Sequence, residues 1–215
     1  MSLGDPPGGG SVVRLPPHAP GMRIGLYGGT FNPPHAGHRH VGLMALRRLA
    51  LDRLWWLVTP GNPLKDRGDL PPASARLAAA QALAAHPRIV ATGFEEEIGS
   101  HYTLETVRFV RERCPGVRFV WIMGADSLAS FQRWRGWREI AELMPIAVVD
   151  RPGSTLTATR SRAATALARY RWDETDAGRL ADAVPPAWVF LHGPRSYLSS
   201  TELRKQGRTF PWTAH

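Results

Sequence analysis

From residue 22 onward, apolar runs of strand length alternate with stretches of helical period, and this alternation leaves few architectures open. Strands that are apolar at every position need cover on both faces. Helices that cross over from one strand to the next supply that cover and keep the strands parallel. The sequence therefore predicts an α/β chain with a Rossmann-like, doubly wound, mainly parallel sheet and helices on both faces. RIGLYGG (23–29) reads as the first strand, AGHRHVGLMALRRLAL (36–51) as its helix, and RLWWLVTP (53–60) as the second strand, closed by Pro60 and Gly61. GNPLKDRGDLPP is expected as a loop, Ser74 as the N-cap of ARLAAAQALAAH, and RIVATGF (88–94) as the third strand. TLETVRFVRER predicts a helix from Thr103, with later strands at VRFVWIMG (117–124), IAVVD (146–150) and AWVFLHG (187–193). The arginine- and alanine-rich segment between the last two carries no clear period.

A single domain over 22–215 accounts for the length of 215 residues, because no composition shift after residue 21 marks a second. Residues 1–21, MSLGDPPGGGSVVRLPPHAPG, are rich in Pro and Gly and lack the ~7–15-residue apolar core of a secretory signal, so they read as a disordered tail. No window approaches the ~18 apolar residues of a membrane span, so a cytoplasmic location and no membrane partner are expected. Cys114 is the only cysteine, which excludes an intrachain disulfide and a multi-cysteine zinc site. The net charge of +9 comes almost wholly from arginine, Lys65 and Lys205 being the only lysines. Such a balance suits nucleic acid, anionic lipid or phosphorylated small substrates, and a solvated basic face is the plain alternative. The arginines are scattered, with no basic run, so nucleic acid is not the expected partner. The sequence does not speak to oligomeric state.

The chemistry is concentrated in GLYGGTFNPPHAGH (25–38). A strand that runs into Gly28 and Gly29 and then into a helix lets backbone approach a phosphate, because no Cβ holds it off. The helix start presents N–H groups without intrahelical acceptors and a partial positive charge. Pro33 and Pro34 fix the lead into the helix, and His35 and His38, three apart on its first turn, project toward one spot. Two imidazoles there can hydrogen-bond phosphate oxygens. A second candidate anion site is YLSSTELR (197–204): Ser199 and Glu202 have capping-box spacing, which starts a helix, and Arg204 follows. Read without Arg204, the same run is a helix cap and nothing more.

GGTFNPPHAGH resembles the GGTFDPxHxGH signature of the nucleotidylyltransferases with an HxGH motif. SHYTLETV resembles SYTxxTL, FVWIMGADSLASFQRW resembles FIxGxDxLxxFxxW, and YLSSTELR resembles ISSTxxR; in this order, over about 22–207, the chain is similar to the bacterial nicotinate-mononucleotide adenylyltransferases. The resemblance implies that Gly28, Gly29, Thr30 and Phe31 surround the nucleotide phosphates and ribose, with His35 and His38 on the ATP phosphates. It implies that Gly124 and Asp126 lie near the ATP ribose and the mononucleotide, and that Ser199, Ser200, Thr201 and Arg204 serve the β- and γ-phosphates. Trp134 would stack on the pyridine ring. Backbone amides near Thr103 and the following positions, beside Tyr102, would hold the nicotinate carboxylate, assisted by the nearby Arg133 and Arg135, and Lys65 would make a phosphate contact. By residue type alone, Trp134 is equally a core tryptophan and Arg135 equally a surface charge.

The implied reaction joins ATP and nicotinate mononucleotide to give deamido-NAD and pyrophosphate, with Mg²⁺ carried on ATP. Nicotinamide mononucleotide and phosphopantetheine are the alternative acceptors of sister enzymes. KQGRTFPWTAH (205–215) departs from the longer ending of such chains.

Overall fold

The computed structural model describes residues 13–60, 70–150 and 155–193. Chain order runs β1 (Arg23–Gly29), α1 (Ala36–Arg48), β2 (Arg53–Val58), α2 (Ala73–Ala84), β3 (Ile89–Thr92), α3 (Phe94–Glu97) and α4 (Thr103–Arg113). It continues with β4 (Arg118–Gly124), α5 (Ala125–Ser130), α6 (Trp137–Leu143), β5 (Ile146–Val149), α7 (Thr155–Thr159), α8 (Arg162–Ala166), β6 (Arg171–Trp172) and β7 (Trp188–Leu191). The strands form one seven-stranded sheet in the order β3-β2-β1-β4-β5-β7-β6. Every pairing is parallel. The chain builds outward from β1 to β3, then returns to the other side of β1 to begin β4.

Strand alternation sorts the core into two layers. Leu26, level with Trp55 and Trp121 on its neighbours, packs under α4 and α6 with Val107 and Ile140. Tyr27, level with Trp56 and Ile122, packs under α1 and α2 with Val41 and Ala80. Both layers are apolar and aromatic-rich, which is why these strands read as continuous apolar runs.

The expected strands are present, β1 over the whole of its expected range and the others trimmed at one or both ends, and α4 starts at Thr103 as the sequence predicts. Three expectations need correction. Ser74 is not the N-cap of α2: Pro72 holds that position, because the Arg76 N–H reaches the Pro72 carbonyl at 3.1 Å and closes the first turn earlier. The sequence reading of a tail through residue 21 does not hold for residues 13–21. Val13 and Leu15 pack on the core beneath α4 and α6, His18 sets its ring edge-on to Trp55, and the Gly21 N–H donates to the Gly116 carbonyl at 2.8 Å. Phe94, read as the end of β3, instead opens α3.

The segment without clear period holds α7, α8 and the two-residue edge strand β6. Its small buried residues, Ala158, Ala163 and Ala164, join the α4–α6 layer, and Trp188 anchors it by donating Nε1–H to the Leu167 carbonyl at 2.8 Å. Small alanines sit close to a sheet without leaving an apolar stripe in the sequence. The loop expected after Gly61 and the helix expected at Ser199 lie outside the described residues.

Candidate active site

The carboxyl ends of β1 and β4 lie side by side where strand order reverses, the place where ligands of doubly wound sheets bind. The lead from β1 into α1 is built there. His35 is the N-cap of α1: its Nδ1 accepts the Gly37 N–H at 3.1 Å. His38, in the first turn, turns its Nδ1 back to accept the His35 N–H at 3.2 Å. The result is a reciprocal cap made from two imidazoles, with ring centroids 3.9 Å apart and exposures of 6% and 7%. A neutral imidazole whose Nδ1 accepts carries its proton on Nε2, so the cap fixes both rings as Nε2–H donors. No acidic residue in the first turn offsets the positive end of the helix.

The floor beneath these rings is aromatic. Phe31 is 1% exposed, stacks on Trp56 at 5.2 Å and lies 4.7 Å from His38, and Tyr27 approaches His38 at 6.2 Å. The Phe31 side chain therefore supports His38 from the core, and its backbone lies at the end of β1. Its φ of 47° is left-handed, a conformation held by the packing of its ring. The two glycines have a packing reason that the sequence did not display. A Cβ at Gly28 would come 3.2 Å from the Trp121 ring and one at Gly29 3.3 Å from the Phe31 ring.

Sequence reasoning missed Arg76. This guanidinium, in a residue 1% exposed on α2, gives Nη1–H to the carbonyls of Thr30 (2.7 Å) and Thr59 (2.8 Å), Nη2–H to Pro60 (3.3 Å) and Nε–H to Pro71 (2.9 Å). It thus ties the end of β1 to the end of β2. Burial lowers its pKa, and Glu96 opposes that shift. The signal available was a lone arginine in an alanine-rich helix, at a phase that faces the sheet.

The other flank of the site starts at α4. Glu105 accepts the N–H groups of His101 (3.1 Å) and Tyr102 (3.3 Å), while the Ser100 N–H goes to the Glu95 carbonyl (2.8 Å). The 100–102 amides are thereby engaged, and the amides that follow, from Thr103 on, are the ones at which the sequence reading expects a carboxylate. These occupy the first helical positions, where the ladder offers no acceptor. Arg135 reaches across from the turn before α6, with its guanidinium carbon 4.8 Å over the Tyr102 ring and Nη1 3.7 Å from Glu105. Gly136 permits that approach: it has φ 65°, and a Cβ there would come 2.5 Å from Leu104.

Trp134 is half-buried, edge-on to Trp121 (6.3 Å) and Phe131 (5.3 Å), so it is anchored in the core with one side left toward solvent. Gly124 ends β4 and precedes α5, whose first turn carries the exposed Asp126.

The structure thus groups Gly28 to His38 on one flank, Tyr102, Thr103 and Arg135 on another, and Gly124 and Asp126 beside β1. Lys65, Ser199, Ser200, Thr201 and Arg204 lie outside the described residues. Among the described residues no three His, Cys, Asp or Glu side chains gather to hold a metal ion, and no helix is long and apolar enough to cross a membrane.

Residues 26–206 match the profile of the cytidylyltransferase-like family. A probable nicotinate-nucleotide adenylyltransferase of Methylorubrum extorquens is 64% identical over 183 residues, 85% of this chain and 99% of the relative. One from Agrobacterium fabrum is 58% identical, covering 85% of this chain and 98% of the relative. Among solved structures, the nicotinic acid mononucleotide adenylyltransferase of Plasmodium falciparum complexed with NaAD shares the fold. Its TM-score is 0.64 at 16% identity, over 86% of this chain and 83% of that one.

Proposed function

The chain belongs to the cytidylyltransferase-like family and, within it, to the nicotinate-nucleotide adenylyltransferases, and on that premise we propose that it transfers the adenylyl group of ATP to nicotinate mononucleotide. A phosphate oxygen of the mononucleotide attacks the α-phosphorus of ATP. The bond from that phosphorus to the bridging oxygen breaks, and pyrophosphate leaves with the electron pair. The nucleophile is already ionised at neutral pH, so the protein need not remove a proton. What remains is to hold two anions in line and to stabilise charge as it develops.

The observation that carries this reading is the double-imidazole cap. With both Nδ1 atoms spent on the backbone, His35 and His38 offer Nε2–H donors at the positive end of α1, a preorganised arrangement suited to phosphate oxygens. The backbone of Gly28 to Phe31 lines the approach, and Gly124 and Asp126 serve the nucleotide from across the switch point. On the acceptor side, the N–H groups of Thr103 and Leu104 receive the pyridine carboxylate and the solvent side of Trp134 receives the ring. Arg135, oriented by Tyr102 and Glu105, adds positive charge. The assignments of Lys65 and of Ser199, Ser200, Thr201 and Arg204 to phosphates rest on their motifs. Mg²⁺ would enter with ATP as part of the substrate, since such an ion is commonly bound through substrate phosphates.

Incubation with ATP labelled at the α- or the γ-phosphate tests the reaction. With nicotinate mononucleotide present, α-label should enter a dinucleotide and γ-label should appear in pyrophosphate. Release of γ-label as inorganic phosphate, without a dinucleotide, would overturn the reading.

A further inference from the structure

Glu95 is a buried carboxyl that the proposed reaction does not use. It is 5% exposed in α3, within the run Glu95-Glu96-Glu97, whose other two members are exposed. Its Oε1 accepts the Thr106 hydroxyl at 2.6 Å. Thr106, 0% exposed on α4, lies 3.1 Å from the Ser100 hydroxyl, and Ser100 Oγ lies 3.2 Å from the Tyr102 carbonyl. Carboxyl, threonine, serine and carbonyl therefore form one chain of hydrogen-bonding groups that ends on the residue capping α4.

Each hydroxyl in such a chain has one proton, so the state of the first group sets the direction of every bond. An ionised Glu95 can only accept. It accepts the hydrogen bond from the Thr106 hydroxyl, Thr106 then accepts from Ser100, and the Tyr102 carbonyl loses the serine as a donor. A protonated Glu95 can donate to Thr106, Thr106 donates to Ser100, and the Ser100 proton goes to the Tyr102 carbonyl. The second arrangement pins the 100–103 turn and the first loosens it.

We propose that Glu95 is a positioning residue for the acceptor site: acting through Thr106 and Ser100, it sets the 100–103 turn whose following amides receive the pyridine carboxylate. The proposal rests on the acceptor assignment made above. Burial, offset in part by the Thr106 hydrogen bond, raises the Glu95 pKa to about 7, so both arrangements are populated near neutral pH. No charged neighbour is among the causes of that shift. Glu105, the other carboxylate at this network, lies 3.5 Å from Ser100 Oγ and is held by the His101 and Tyr102 N–H groups and by Arg135. Glu96 interacts with Arg76 of α2.

The test is equilibrium binding of deamido-NAD, which has no group titrating between about pH 6 and 8.5, to the full chain and three variants. For the wild type, Kd should rise about fivefold across that range, the equivalent of roughly one hydrogen bond. Glu95→Gln keeps a donor at the first position and should bind with a Kd constant within about twofold. Thr106→Ser, which retains the hydroxyl, should keep the pH response, whereas Thr106→Val should abolish it. The Kd for ATP should be equal in wild type and Glu95→Gln at each pH. Parallel pH profiles in wild type, Glu95→Gln and Thr106→Val would overturn the proposal while leaving the reaction intact. If the wild type binds no deamido-NAD and turns over no nicotinate mononucleotide, the acceptor assignment fails and the proposal with it. Should Glu95→Gln not fold, the Thr106 pair decides alone.

Discussion

His35 and His38 cap the same helix with the same atom: His35 Nδ1 accepts the Gly37 N–H of the first turn, His38 Nδ1 accepts the N–H of His35 itself, and the ring centroids lie 3.9 Å apart. One side of each imidazole is therefore structural, and the proposed chemistry falls to the other. Substitutions can separate the two.

His35→Ala should lose the cap and cost about 1 kcal/mol of stability, and His35→Ser, a good N-cap, should recover most of it. Neither should recover turnover, because serine cannot supply the Nε2–H donor. Urea unfolding alongside kcat measures both. A stable, fully active His35→Ser enzyme would remove His35 from the chemistry.

His38→Ala should lower kcat by ~10²–10³-fold with little change in KM for ATP, as for loss of one donor aimed at developing charge. The same change removes the acceptor for the His35 N–H, so a modest stability loss accompanies it. Steady-state kinetics at saturating acceptor would show it. A variant with more than half the activity contradicts the assignment.

Arg76→Met should be among the most destabilising changes in the chain. It strips donors from the carbonyls of Thr30, Thr59, Pro60 and Pro71. Each buried acceptor left unsatisfied costs about 1–3 kcal/mol, so a total loss of at least ~3 kcal/mol is expected. Arg76→Lys should recover only part of that, since one ammonium cannot span the same carbonyls. Denaturant midpoints report the order, and a methionine variant within ~1 kcal/mol of wild type would refute it.

Glu95 should make stability fall as pH rises. Its folded pKa, about 7, lies above the ordinary carboxyl value, so the folded state holds its proton longer than the unfolded one. The favourable contribution is complete below about pH 4.5, declines as pH rises, and is gone above about pH 7. Glu95→Gln should then match wild type in stability near pH 4.5 and exceed it at pH 8, by an amount of order 3 kcal/mol or less. Thermal unfolding at both pH values checks the sign. A variant less stable than wild type at pH 8 would contradict the buried-carboxyl account.

The sheet was legible in the sequence because continuous apolar runs such as RLWWLV and RFVWIMG admit few other readings. The strand end and the capped start of α1 were legible because Gly28, Gly29, Pro33, Pro34, His35 and His38 carry them locally. What escaped the sequence depends on contacts between distant segments. Arg76 meets Thr30 and Thr59 only once α2 has docked, and Glu95 differs from Glu96 and Glu97 only in its phase on α3. Phe31 was expected at the ligand because it lies inside the motif, and the packing of its ring on Trp56 in the core has no local signal. Pro-rich composition suggested a tail through residue 21, although Val13, Leu15 and His18 have partners in Trp55 and its surroundings.

The central claim is an adenylyl transfer to the acid form of a pyridine mononucleotide. Its most direct test is kcat/KM for nicotinate mononucleotide against nicotinamide mononucleotide, measured by pyrophosphate release at fixed ATP and Mg²⁺. The N–H groups of Thr103 and Leu104, with Arg135 nearby, can accept a carboxylate, whereas the NH₂ of an amide gains no bond from them. The account predicts a preference for the acid of ~10²-fold or more, about 2.7 kcal/mol of transition-state discrimination. Equal turnover of the two mononucleotides, or no pyrophosphate with the acid, would contradict it.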